Sequence, residues 1–210
     1  MIKSNIYSII LLLTLSSHLV AQNKVKGYVY NDVNSNSIKD SSETGISSVG
    51  VSNGRDVVVT DNKGYYELNS SGDNIIFVIK PSDYKFPVNK YHQPLFYYIH
   101  KPNGSPKLHF KGTSPTGKLP DELNFPLYKD SVKEQFRILV FGDPQPKNLT
   151  EIDYFKRGIV DELIGVKNVE FGMSLGDLVH DDLNLYSPYK EVIGTIGIPW
   201  LNVMGNHDIN

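Results

Sequence analysis

Three apolar runs in the last third of the chain each break at a glycine followed at once by Asp or Asn. Residues 136–141 run into Gly142-Asp143-Pro144-Gln145. Residues 169–175 run into Gly176-Asp177-Leu178-Val179-His180-Asp181, and residues 198–204 into Gly205-Asn206-His207-Asp208. Between the first two runs, Ile152, Phe155, Ile159, Val160, Leu163 and Ile164 recur at helical spacing, and Thr150 with Asp153 three residues on predicts the cap of that helix. Between the second and third, Ser187-Pro188 predicts another helix start, with proline in the first turn. Strand, helix, strand, helix, strand in this order leaves little choice but a parallel sheet with crossover helices.

In an open parallel sheet, ligands bind beyond the carboxyl ends of the strands. The three glycine-led loops therefore converge. The expectation is that each glycine lets the backbone turn sharply as it leaves the sheet. Asp143, Gln145, Asp177 and Asn206 then offer oxygen ligands to one small volume, with His180 and His207 close by. Oxygen donors with imidazole suit Mn, Fe or Zn. Two such ions about 3.5–4 Å apart can clamp a phosphoryl displacement and activate a water between them.

In order and spacing, these three motifs resemble those of the calcineurin-like metallophosphoesterases: Asp-x-His with Gln as a variant, Gly-Asp-x-x-His/Asp, and Gly-Asn-His-Asp/Glu. The resemblance covers residues 135–208. It implies a metal-dependent hydrolase that cleaves phosphomonoesters or phosphodiesters with a metal-activated hydroxide and uses two divalent ions. Asp143 and Gln145 would hold the first metal, Asp177 would bridge, and Asn206 would hold the second and touch the phosphate. His207 would act as general acid, oriented by Asp208 or by the His180-Asp181 pair; His180 stands where many members have Asp. The family's later Gly-His and Gly-His-x-His motifs do not occur in the sequence, and His92, His100 and His109 do not match them. The resemblance therefore implies that these 210 residues are the N-terminal part of a larger enzyme, inactive alone.

Residues 24–129 read differently. Short β-branched and alternating runs, at residues 25–30, 49–51, 57–59, 65–68, 75–79 and 95–100, are separated by Gly/Asn/Asp turns. That pattern predicts an all-β sandwich. This region is similar to the β-sandwich that precedes the catalytic domain in an exported bacterial branch of the same family, and residues 27–68 to carboxypeptidase-regulatory-like modules. The fold expected is thus two-domain: an N-terminal all-β sandwich at 24–129, then at 134–210 the first β-α-β-α-β part of an α/β metallophosphoesterase.

One loop inside the sandwich has its own pattern. Asp32, Asn34, Asn36, Asp40 and Glu43 fall at positions 1, 3, 5, 9 and 12 of an EF-hand-like loop, with the Ile38 carbonyl at 7. Ser37 occupies position 6, where glycine is expected. The loop is a candidate calcium site; the plainer reading is an Asx-rich connection between strands.

Lys3, the apolar stretch at 9–13 and Leu19-Val20-Ala21 predict a signal peptide over residues 1–21, hence an exported, periplasmic or extracellular protein. With no cysteine there is no disulfide, and no lipid attachment through one. No later segment reads as membrane-spanning. A formal charge of −2 gives no basic stripe for nucleic acid. Gly112 to Lys118 has P-loop spacing, but Leu119 and Pro120 deny it the magnesium-binding hydroxyl and the helix. The expected partner is a phosphate-ester substrate. The competing reading is a secreted, non-catalytic β-sandwich binding module carrying a vestigial phosphoesterase stub.

Overall fold

The computed structural model describes residues 23–210; the expected signal peptide, residues 1–21, lies outside them. Eight strands come first: β1 (Asn23–Asn31), β2 (Gly50–Ser52), β3 (Val57–Val59), β4 (Tyr65–Ser70), β5 (Asn74–Ile79), β6 (Tyr84–Lys85), β7 (Tyr97–His100) and β8 (Phe125–Lys129). They form two four-stranded sheets, in the orders β4-β1-β8-β6 and β3-β2-β5-β7. Their inward side chains share one core, with Val25, Val29, Tyr66, Leu68, Phe125 and Leu127 from the first sheet facing Val51, Ile76 and Val78 from the second. Alternation along β4 and β5 puts every second residue into this core, as a half-buried sheet requires.

The strand hardest to see in the sequence is β8, because it contains Pro126. It lies between β1, which it pairs in parallel, and β6. The pairing with β6 involves only Tyr128 and Lys129, so the missing N–H of Pro126 takes nothing from that ladder.

The second unit holds β9 (Ile138–Phe141), α1 (Leu149–Phe155), β10 (Phe171–Leu175), α2 (Tyr186–Gly194) and β11 (Trp200–Val203). The three strands are parallel in the order β11-β10-β9. One face of this sheet, with Trp200, is covered by α1, α2 and the turns next to them through Ile152, Val160, Leu185, Tyr189 and Ile193.

Two details of α1 correct the sequence reading. The cap is Asn148, whose side chain accepts from Glu151 N at 3.0 Å, while the Glu151 carboxylate reaches back to Lys147 N at 2.8 Å. After Phe155 the helix widens into a π turn, Lys156–Val160. The extra residue in that turn rotates the register. Val160 is fully buried, but Ile159 and Ile164, expected on the core face, are 46% and 53% exposed.

Three polar groups in this core pair with one another. Trp200 Nε1 donates to Ser174 Oγ at 3.0 Å, and Ser174 Oγ is 2.7 Å from Tyr189 OH. The two units touch at the start of β11, where Trp200 N donates to His92 O at 2.9 Å. They also meet at Asn210, whose side chain pairs with both backbone groups of Phe110. No helix among the described residues is long and apolar enough to cross a membrane.

Candidate active site

The loops after β9, β10 and β11 are tied to one another, with the β10 loop in the middle. Gln145 N donates to Asp177 O at 2.9 Å, and His180 N to Pro146 O at 3.1 Å, joining the first loop to the second. His207 N donates to Asp177 Oδ1 at 3.1 Å, joining the third. Asp208 completes the tie. It is 5% exposed, and its carboxylate accepts from Leu178 N at 3.0 and 3.2 Å, Val179 N at 3.4 Å and Gly205 N at 2.8 Å.

The three glycines do three different things, rather than the single turning role expected of them. Gly176 has φ +100°, a conformation that needs glycine. Gly205 has an ordinary φ, but a Cβ there would sit 2.1 Å from Asp177 Oδ1 and 2.3 Å from Asp177 N. Glycine at 205 is what lets the third loop lie against the second. At Gly142 a Cβ would meet nothing within 4 Å and φ is not positive.

His207 lies at the centre of the cluster. Its Nδ1 is 2.7 Å from Asp181 Oδ1, which leaves Nε2 for another partner. The His180 ring stacks on it with centroids 4.7 Å apart, and His180 Nε2 is 3.6 Å from Asp181 Oδ2. Of the two orienting arrangements expected from sequence, the ring pairs with Asp181; Asp208 is committed to backbone N–H groups instead. His180, Asp181 and His207 each offer a ligand atom, all within 4.8 Å of one another. Asp143 and Asn206 are exposed, and Gln145 and Asp177 are half-buried. Gln145, Asp177 and Asp181 have φ of 40°, 48° and 58°. Left-handed backbone at three non-glycine residues is strain held in place by the loop-to-loop bonds.

Carboxylates dominate the electrostatics. Among the described residues no lysine or arginine pairs with Asp143, Asp177, Asp181 or Asp208. The hydrogen bond to Asp181 raises the His207 pKa above its ordinary value, and the charges of Asp181, Asp177 and Asp143 add to that against the opposing effect of burial. The same bond holds the Asp181 carboxyl below its usual range. In metal-free protein, His207 is therefore expected to titrate above ~6.5, the ordinary histidine value. Its contribution to stability is present below that pH and lost as pH rises through the folded-state pKa. Imidazole proton shifts followed by NMR in EDTA would check this: Asp181→Asn should move His207 downward, and Asp208→Asn should not.

An apolar cleft of about 400 Å³ lies elsewhere, lined by Tyr84, Phe86 and Pro94 from the sandwich and Phe136, Phe171 and Pro199 from the second unit. Its strand residues sit at the starting ends of the parallel sheet, opposite the three loops. The candidate site is at the carboxyl ends, where an open parallel sheet places its ligands.

Residues 33–115 match the family model described as N terminal of Calcineurin-like phosphoesterase. The match supports the phosphoesterase family; it covers sandwich residues and none of the three loops. No curated protein matches the chain.

Proposed function

We propose that the chain carries the N-terminal sandwich and the opening metal-binding segment of an exported, metal-dependent phosphoesterase acting on phosphomonoesters or phosphodiesters. The observation that carries this reading is the convergence of three Gly-Asp/Asn loops on Asp177, beside a histidine whose Nδ1 is fixed by Asp181. The oxygen-rich donor set, with two imidazoles and no basic partner, fits divalent cations.

Asp143, Gln145, Asp177 and Asn206 would hold two such ions, Mn, Fe or Zn, with the His180-Asp181-His207 group beside them. Ions bound there would supply Lewis-acid stabilisation of the phosphoryl oxygens and an activated water. The rest falls to the chain itself. Asp181 orients His207 and favours its protonated form, so that Nε2 can give a proton to the leaving oxygen. His180, stacked on that ring, limits its rotation. Asp208 acts at one remove: by holding the N–H groups of Leu178, Val179 and Gly205, it fixes the backbone that carries Asp177 and His207. It is a positioning residue in this reading.

The test is direct measurement of metal binding. Mn²⁺ binding by the chain would be followed by EPR in millimolar calcium, so that the loop at residues 32–43 does not contribute. The parent is expected to bind, and an Asp143→Asn/Asp177→Asn double variant to lose binding at least tenfold. Equal binding by the two would sink the reading. Turnover of p-nitrophenyl phosphate by these 210 residues is expected to be weak, since the sequence holds no Gly-His or Gly-His-x-His motif. Export predicts a mature N-terminus at Gln22, which intact mass would read.

A further inference from the structure

The loop that joins β1 to Gly45 carries three carboxylates that, among the described residues, have no cationic partner. Tyr30 bridges to Gly45, and Asn31 N donates to Thr44 O at 2.9 Å, so residues 32–43 close on themselves. Asp32 is 3% exposed and Glu43 5% exposed. Asp40 is half-buried. Among the described residues no lysine, arginine or histidine side chain pairs with any of the three. Lys39 lies nearby, but its Nζ reaches the main-chain oxygen of Glu43, at 3.5 Å, and sits over the Tyr28 ring. A buried carboxylate without a countercharge is costly unless it neutralises or coordinates a metal.

One atom points to the ligand. Asp32 Oδ2 accepts from Ser37 N at 2.8 Å, which turns the carboxylate onto the loop. Its other oxygen, Oδ1, is buried and has no hydrogen-bond partner. An unpaired carboxylate oxygen on a side chain this buried is the kind of group a bound cation would satisfy.

The remaining geometry says which cation. Asn34 Oδ1 accepts from Asn36 N at 3.1 Å, and Asn36 Oδ1 from Ile38 N at 2.7 Å. Glu43 spans the closing end, with Oε1 accepting from Val33 N and Oε2 from Asp40 N. Ser37, at the position where a tight calcium loop prefers glycine, has φ 59° and makes the turn regardless. The amides of Asn34 and Asn36 both donate to Asp40 Oδ2, at 2.7 and 3.1 Å. We propose that residues 32–43 bind calcium through the carboxylates of Asp32, Asp40 and Glu43, the side-chain oxygens of Asn34 and Asn36, and the Ile38 carbonyl. All-oxygen ligation, with a glutamate at position 12 that can bind through both oxygens, suits calcium. Magnesium demands a tighter octahedron and gives up its waters reluctantly. Binding must draw the carboxylates together, because the His180 group is the one that already has ligand atoms within 4.8 Å among the described residues. The affinity then falls in the weak, extracellular class, with a Kd of about 10⁻⁴–10⁻³ M.

The test compares thermal melts of the full chain in EGTA and in 10 mM CaCl₂, alongside equilibrium dialysis for stoichiometry. The parent is expected to bind one calcium and to gain roughly 5 °C or more, with a smaller gain in MgCl₂. Asp32→Asn and Asp40→Asn should abolish the gain. In EGTA, Asp40→Asn should melt at or above the parent, since it removes a repelling charge; its lost response is then not a failure to fold. An Asp143→Asn/Asp177→Asn variant should keep the full shift. No shift in the parent, or an undiminished shift in Asp40→Asn, would overturn the proposal.

Discussion

Asp208→Ala is expected to cost the parallel-sheet unit about 3 kcal/mol of stability, because it strands three backbone donors at once. Leu178 N and Val179 N belong to residues that are 8% and 0% exposed, and water cannot reach them freely once the carboxylate is gone. Gly205 N, at 2.8 Å from Asp208 Oδ2, is half-buried and recovers part of its loss from solvent. Each buried donor left unmade costs about 1–3 kcal/mol, and the total stays below the sum because the loops relax. Trp200 is the sole tryptophan and lies in the same core, so its fluorescence during denaturant unfolding reports this unit alone. A change below about 1 kcal/mol would show that the carboxylate is not the tie described here. Asp208→Asn keeps the shape and one acceptor oxygen, and is expected to fall between parent and alanine. The same pair of variants separates positioning from direct chemistry. If Asp208 acts through the backbone, metal affinity should fall in Asp208→Ala while the His207 titration in Asp208→Asn stays in place.

Much of this site could be read from the chain before its geometry was known, and the part that could not has a clear cause. Strand runs followed by Gly-Asp or Gly-Asn announce themselves locally, and parallel topology then forces their loops together. Which carboxylate holds His207 is not a local property. Asp208 is adjacent in sequence, yet its side chain is taken by the β10 loop; Asp181, on that loop and in the left-handed region, is what reaches the ring. The helix register failed for a similar reason. A 3.6-residue repeat assigns Ile159 and Ile164 to the core, but the π turn at Lys156–Val160 breaks the repeat at Ile159, Ile164 lies past the helical residues with ψ 123°, and nothing in the local composition signals either. β8 was hidden by Pro126, because a proline speaks against a strand unless the neighbouring ladder is short. The loop at residues 32–43 shows the converse: spacing alone named its candidate ligands, but only burial singles out Asp32 Oδ1 as an atom lacking a partner.

The second large effect is expected at Gly172, which carries no chemistry at all. Gly172 and Trp200 are direct partners on adjacent parallel strands, and the indole lies across the glycine. A Cβ at 172 would stand 2.0 Å from Trp200 Cζ3 and 2.1 Å from Cε3. The ring has little room to yield. It is 1% exposed, anchored by Nε1 to Ser174 Oγ, and packed on Phe141 with centroids 4.9 Å apart. Gly172→Ala is therefore expected to destabilise the unit by about 3 kcal/mol, at the upper end of overpacking costs. Backbone preference predicts the opposite sign, since alanine in a strand is favoured over glycine by about 0.5–1 kcal/mol. A loss thus isolates the steric term. Trp200→Leu removes the obstructing ring and leaves a cavity that a new methyl can partly fill. In that background Gly172→Ala should cost less than about 1 kcal/mol, giving a coupling of roughly 2 kcal/mol in a double-mutant cycle. Additive losses would mean that the glycine answers to something other than the indole. The consequence would reach the loops as well, because β11 begins at Trp200 and its end at Val203 is two residues from Gly205. A strand displaced by a methyl at 172 carries Asn206 and His207 with it, so Gly172→Ala should weaken metal binding from a position buried under the indole.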